Sequence, residues 1–393
     1  MTPAARVQAA IELLDAIIDA AKREGAPADR LIADWARSNR YAGSKDRRAV
    51  RELVYSAIRA CGPVPESGRA AMLLLAKADP ALEACFDGSQ YGPATIRDGE
   101  PVGTAGVAPE WLVERLGAAG LSDSEMLALL DRAPLDIRVN TLKADRATIE
   151  LPEQGESLAA PQGLRFESGT LVEQWQEYSQ GLIEVQDHGS QIICGALGAK
   201  PGETVIDLCA GAGGKTLALA AAMENQGRLI ACDIDRNRLS KLAPRAERAG
   251  AGVIETMLLD PGRELDALAE LRGQADLVLV DAPCSGTGTW RRKPEAKWRL
   301  TPERLQRFAA VQDGLLDIAA ALVRPGGRIG FVTCSLLDEE GKDRADAFLA
   351  RHAGWHALEQ ALPLGRQHGE GIRLTPYHDG TDGFFVAMLG SAC

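Results

Sequence analysis

Five short apolar runs recur along the C-terminal half of the chain, at Thr204 to Leu208, Leu229 to Asp233, Val253 to Asp260, Leu277 to Asp281 and Arg328 to Thr333, with helical periodicity between them. This alternation constrains the fold more than any other feature, because strand, helix and strand in succession close most readily as a right-handed crossover in a parallel sheet. The clearest intervening helix is Thr301 to Val323: Thr301 stands as N-cap, Pro302 takes the first helical position and Pro325-Gly326-Gly327 follows as a stop. Repeated units of this kind predict an α/β, doubly wound, mostly parallel Rossmann-like sheet with its site at the carboxyl ends of the strands. Asp207, Asp233, Asp260, Asp281 and Cys334 lie at the ends of predicted strands and should meet there.

Two further parts precede this sheet, as a length of 393 residues leads one to expect. Residues 1–88 read as helices: Val7, Ile11, Leu14, Ile17 and Ile18 recur at three and four residues, and Val50, Leu53, Val54 and Ile58 do so after an N-cap placed at Ser44. Glycine, proline and polar residues then mark a linker from Phe86 to Ala108. Residues 109–185 predict a small α+β module, with helices from Pro109 to Gly117 and Asp123 to Ala133 and strands at Ile137 to Leu142, Leu164 to Val172 and Leu182 to Val185. Residues 186–393 are the sheet domain.

Composition excludes several classes. A hydrophobic content of 46% with 25% charged residues is ordinary for a globular chain, and no apolar run approaches membrane-span length. Met1 to Lys22 alternates apolar and charged residues at helical spacing, unlike a signal peptide, so a cytoplasmic protein without membrane partners is expected. Eight scattered cysteines without a C-x-x-C pair, and five histidines of which only His352 and His356 fall one turn apart, suggest neither a disulfide framework nor a metal site. A net charge of −11 argues against non-specific coating of nucleic acid. Local charge differs: Arg291, Arg292, Lys293, Lys297 and Arg299 are interleaved with Trp290 and Trp298 and a single acid, Glu295. Cations among aromatics suit a surface that grips a nucleic-acid backbone and stacks bases; a solvated basic loop is the other reading.

The chemistry concentrates in three turns. The glycine-rich turn from Asp207 to Thr216 is no phosphate loop, because the glycine required five positions before Gly214 is Cys209, and no dinucleotide fingerprint, because the third glycine falls on Thr216. A bare turn after a strand, with Asp233 ending the next strand near ribose hydroxyls, fits an adenosine ligand without a diphosphate. The second and third turns hold Cys284, in Asp281-Ala282-Pro283-Cys284, and Cys334, in Thr333-Cys334-Ser335. Two thiols at one sheet edge fit methyl transfer to cytosine, whose C5 becomes nucleophilic only after something such as a thiolate adds to C6.

Ile206-Asp207-Leu208-Cys209-Ala210-Gly211-Ala212-Gly213-Gly214-Lys215-Thr216, Asp233 to Leu239, Asp281 to Gly288 and Thr333-Cys334-Ser335 resemble the motifs of the RsmB/Sun family of RNA cytosine-5 methyltransferases. Arg138 to Lys143 and Val185-Gln186-Asp187 resemble that family's preceding RNA-binding module. Asp46-Arg47-Arg48 through Arg59 resembles part of a NusB-like helical domain, although the helical part is short for a complete one. Gly211 and Ala212 stand where the family usually has alanine and proline. The resemblance implies S-adenosyl-L-methionine as cofactor, resting on Cys209, Ala210, Gly211, Ala212, Gly213, Gly214 and Lys215, with Asp233 on the ribose, Arg238 nearby, Asp260 at the adenine amine and Asp281 beside it. It implies Cys334 as the nucleophile, helped by the Lys215 cation, Cys284 as the cysteine that releases product, and Asp281 on the N3 and amino edge of the base. RNA contacts are expected from Arg291, Arg292, Lys293, Lys297, Arg138 and Asn140. The expected partner is RNA, foremost 16S ribosomal RNA, bound by a monomer without metal. Arg238 reads equally as a surface cation, and an ordinary strand end is the lesser reading of Asp260. Methylation of tRNA or DNA, the latter with Cys284 as nucleophile, and a non-catalytic RNA-binding assembly factor remain as alternatives.

Overall fold

The computed structural model describes residues 1–392, which form two compact units. One comprises Met1–Asp131 with Thr289–Thr301; the other comprises Arg132–Gly288 and the chain from Pro302 onward. The helices expected at Pro109 and Asp123 thus group with the N-terminal helices, and the basic segment after Gly288 belongs to the same unit.

In the first unit, the apolar stripes close into a helical bundle. Pro3–Lys22, Ser44–Ala60 and Gly68–Ala76 bury Val7, Leu14, Ile17, Val54, Ile58 and Met72 in one core, which Trp298 completes. The Ser44 helix is capped one residue earlier than expected, because the Asp46 carboxylate accepts the Gly43 N–H at 3.2 Å.

The second unit holds two sheets. A small antiparallel one, β1 (Leu135–Val139), β2 (Glu156–Ser157), β3 (Gly163–Phe166) and β4 (Ile183–Val185), runs in the order β2-β3-β1-β4. β3 is shorter than expected because the chain turns away at Gly169, whose φ is +100°. The large sheet contains β5 (Thr204–Asp207), β6 (Arg228–Asp233), β7 (Ile254–Leu258), β8 (Ala275–Asp281) and β9 (Val323–Thr333), all parallel in the order β7-β6-β5-β8-β9. Antiparallel strands extend it: β10 (Trp355–Ala357), β11 (Arg366–His368), β12 (Gly371–Leu374) and β13 (Phe384–Ser391), with β13 inserted between β9 and β12 and β10 pairing with β13.

Strand order reverses between β5 and β8. Crossovers leave a crevice at such a point, outside the carboxyl ends of the two strands. Pro325-Gly326-Gly327, expected as a stop, is taken up inside β9: the register with β8 slips so that Ala275 faces Val323 and Leu277 faces Arg328. A bulge places those residues where a ladder cannot use them.

Candidate active site

The glycine-rich turn leaves β5 and enters the helix Gly214–Ala222. Gly211 and Gly213 have φ of +56° and +87°, and a side chain on Gly213 would meet Leu242 at 2.1 Å, so the turn needs glycine there. Both oxygens of Asp233, which is 3% exposed, work on backbone: Oδ2 accepts the Gly211 N–H at 2.8 Å and Oδ1 the Asp235 N–H at 2.8 Å. The carboxylate expected on the ribose therefore also shapes the turn, with lone pairs to spare. Nothing stands in front of Gly214 within 4 Å of where its side chain would begin, which leaves an open cradle at the helix N-terminus. Exposed Arg238 lays its guanidinium against Gly211, and Asp260 is exposed two residues beyond β7. The Ala212 carbonyl accepts from Arg245 at 2.6 Å, and Arg245 is anchored in turn on buried Glu184 of β4 at 2.8 Å.

Asp207, at the end of β5, is buried and accepts the Thr216 hydroxyl at 2.7 Å. Burial pushes its carboxyl up to about 7, against the pull of that hydrogen bond. One helical residue earlier, Lys215 donates to Asp281 at 2.7 Å across the β5–β8 crevice, with side chains 11% and 32% exposed. Burial would strip the lysine of its proton; the Asp281 charge and hydrogen bond, with the Cys194 and Cys334 thiols, more than reverse this and hold it above its ordinary value. The Phe384 ring at the start of β13 lies 5.7 Å from the ammonium.

The turns after β8 and β9 bring the two cysteines together, with Sγ atoms 3.3 Å apart. The Cys334 partner, then burial and the nearby Glu340 charge, push the Cys284 thiol far up. Hydroxyls lock the two turns together: Ser285 and Thr287 each stand 3.2 Å from the Ser335 Oγ, and Thr287 accepts the Leu336 N–H at 2.9 Å. Glu340 is fully buried beneath them, accepting the Ser285 N–H at 2.8 Å and the Ser285 hydroxyl.

The structure therefore gathers Lys215, Asp281, Cys284 and Cys334 at one crevice. It gives different surroundings to the residues expected to touch RNA. Arg138 is buried and donates to Gln186 at 2.8 Å; Asn140 is buried and donates to the carbonyls of Gly181 and Ala249 at 2.9 and 2.8 Å. Trp290, Arg291, Lys297 and Trp298 are buried within the helical unit. The Trp298 indole donates to the Gly62 carbonyl at 3.2 Å, Arg299 to the Gly25 and Ala26 carbonyls at 2.9 and 2.6 Å, and Glu295 accepts the N–H of Ala28 at 3.1 Å, where the helix Ala28–Ser38 begins without a cap of its own. Arg138, Asn140, Arg291 and Lys297 are thus interior side chains, and the tryptophans offer no face for stacking. Arg292 and Lys293 are exposed. Glu340, Gln312, Arg245 and Glu184 escaped the sequence reading because no periodicity or strand end marks them; only the fold brings them to the turns. Among the described residues no group of three or more His, Cys, Asp or Glu could hold a metal ion, and no helix is long and apolar enough to cross a membrane.

Fold and crevice together define a Rossmann-like sheet domain with two thiols at its carboxyl edge, the class to which methyltransferases of known structure belong. The crystal structure of PH0851 covers 99% of this chain and 99% of its own at a TM-score of 0.77 and 23% identity; NSun6 from Pyrococcus horikoshii with SFG covers 72% of this chain and 98% of its own at 0.63 and 21%. The family model for 16S rRNA methyltransferase RsmB/F matches residues 194–390, and the probable ribosomal RNA small subunit methyltransferase B of Synechocystis sp. is 35% identical over 72% of this chain and 67% of that one. The chain belongs to the RsmB/F family of S-adenosylmethionine-dependent methyltransferases. The matched region spans about two thirds of the length of its curated relatives, 67% of the Synechocystis protein and 66% of the Bacillus subtilis one.

Proposed function

We propose that the protein methylates C5 of a cytosine in RNA, foremost 16S ribosomal RNA, through a covalent bond from Cys334 to C6 that is resolved with Cys284. The observation that carries this reading is the 3.3 Å contact between the two sulfurs beside the Lys215–Asp281 pair. The Cys334 neighbour and burial push the Cys284 thiol far up, which favours Cys334 as the attacking sulfur over the reverse order. The positive Lys215 interacts with Cys334 through space.

The residues present fit the cofactor: the space where a Gly214 side chain would begin is open at a helix N-terminus, and Asp233 and Asp260 stand at and just beyond the ends of the neighbouring strands. S-adenosylmethionine supplies a methyl group on a sulfonium, which leaves as a neutral thioether when the carbon is attacked. Asp281 is held by Lys215 and still part-exposed; it hydrogen-bonds the N3 and amino edge of the base, stabilising the charge there while the Cys334–C6 bond forms and C5 becomes an enamine carbon. After methylation, the C5 proton passes to solvent water, the C6–sulfur bond breaks, and Cys334 departs as thiolate, with Cys284 assisting that elimination. Ribosomal RNA as substrate is supported by family membership and by the names of the relatives.

Labelled S-adenosylmethionine and unmodified 16S ribosomal RNA test the proposal: the label is expected in RNA as 5-methylcytosine. Transfer to tRNA or DNA alone would replace the substrate. No transfer to any of them would favour a non-catalytic RNA-binding protein.

A further inference from the structure

Glu340 has no place in the chemistry just described, yet it is fully buried and its hydrogen bonds lead toward the two cysteines. Its Oε1 accepts the Ser285 N–H at 2.8 Å and the Gln312 Nε2 at 3.3 Å, its Oε2 accepts the Ser285 hydroxyl, and its own carbonyl accepts the Thr333 hydroxyl at 3.0 Å. Gln312, from the helix Pro302–Leu322, also donates to the Pro283 carbonyl at 2.9 Å. Cys284 is therefore gripped on both sides, at Pro283 and Ser285, and the same carboxylate residue ties down the residue before Cys334. Packing alone would not require an acid, since a buried carboxylate is unfavourable unless its hydrogen bonds are complete.

We propose that Glu340, with Gln312 as its partner, is a positioning residue that clamps the turn of Cys284 to the turn of Cys334 and so sets the distance between the two thiols. This inference rests on the proposed thiol chemistry for its catalytic consequence, though not for its geometry. A sulfur displaced by an ångström loses both the other thiol at its side and the line to C6, and misplacement on that scale can slow a reaction by about a hundredfold.

The experiment compares wild type, Glu340→Ala, Glu340→Gln and Ser285→Ala in two readouts. In the first, methyl transfer to 16S ribosomal RNA, Glu340→Ala is expected to lower kcat by tenfold to a hundredfold, as an order of magnitude, while KM for RNA and cofactor affinity stay within about twofold. Glu340→Gln, which keeps an acceptor for the Ser285 N–H, should recover most of kcat. The second readout needs no RNA. Iodoacetamide followed by peptide mass spectrometry should modify Cys334 far more than Cys284 in wild type and Glu340→Gln, and seldom both on one molecule, because the Cys284 thiol is pushed far up and one alkyl group covers the other sulfur. In Glu340→Ala both should be modified, with Ser285→Ala between. Unchanged kcat and continued mutual exclusion in Glu340→Ala would overturn the proposal, as would equal losses in Glu340→Gln and Glu340→Ala. Should Glu340→Ala not fold, Ser285→Ala decides in its place: loss of mutual exclusion there supports the clamp and its retention overturns it. Should wild type methylate no RNA, the proposed function falls, and the alkylation pattern still decides the clamp.

Discussion

Each unit of the molecule draws a lysine largely out of water, and the two have opposite fates. Lys215, at the crevice of the sheet unit, faces the Asp281 carboxylate at 2.7 Å and is held charged more firmly than a lysine in water. Lys297, in the helical unit, is fully buried with its ammonium on two carbonyls, Val107 at 2.9 Å and Arg59 at 3.5 Å, and burial pulls it down to about 7. A low-dielectric surrounding removes the charge from a lysine unless a carboxylate restores it. The same residue type thus serves as a fixed positive charge beside two thiols in one place and as an internal tie in the other.

The sharpest way to break this comparison is to remove each lysine in turn. Lys215→Met leaves Asp281 without its cation and the thiols without their nearby positive charge; single-turnover methyl transfer should fall by roughly a hundredfold or more. Lys297→Met should leave the rate of a folded protein within about threefold, since it acts on no reacting atom. Equal losses would dissolve the distinction between the two.

A smaller effect concerns pH. For Lys297, the folded pKa of about 7 lies below the ordinary 10.5. Between these values the unfolded chain binds more protons than the folded one, so stability of the helical unit rises as pH climbs from about 7 toward 10, with a slope of at most about 1.4 kcal/mol for each step of one in pH. Thermal melts of Lys297→Met across that range should show a flattened rise relative to wild type; parallel curves would mean the ammonium stays charged in the fold.

The smallest effect tests the rule from the acid side. Asp207 is buried with a hydroxyl partner instead of an ion pair, and its folded pKa of about 7 exceeds the ordinary 3.8. Here the folded state holds the extra proton, so this contribution is complete below about 4 and is lost as pH rises through 7. Asp207→Asn, which keeps an acceptor for Thr216, should remove that part of the pH dependence. If the melts of the two proteins fall together between pH 4 and 8, Asp207 is ionised throughout.

How much of this was legible beforehand follows from the range of each signal. The βα alternation and the strand-ending Asp207, Asp281 and Cys334 are local patterns, and their convergence is a rule of parallel sheets, so the crevice could be read from them. The segment Trp290 to Arg299 could not. Its spacing of cations and aromatics is the same whether it coats RNA or fills a bundle, and only the contact of Trp298 with Gly62, 236 residues away, separates the two. Glu340 and Gln312 were hidden for a similar reason, since their partners lie on other elements. β9 misled differently: Pro325-Gly326-Gly327 ends helices by local rule, and the sheet absorbed it as a bulge.

The central claim, attack by Cys334 and release through Cys284, is tested most directly by mixing Cys284→Ala protein with unmodified 16S ribosomal RNA and S-adenosylmethionine and resolving the mixture on a denaturing gel. A protein–RNA adduct that disappears when Cys334 is replaced as well is the predicted result. An adduct formed by Cys334→Ala protein but not by Cys284→Ala protein would contradict it and exchange the roles of the two thiols.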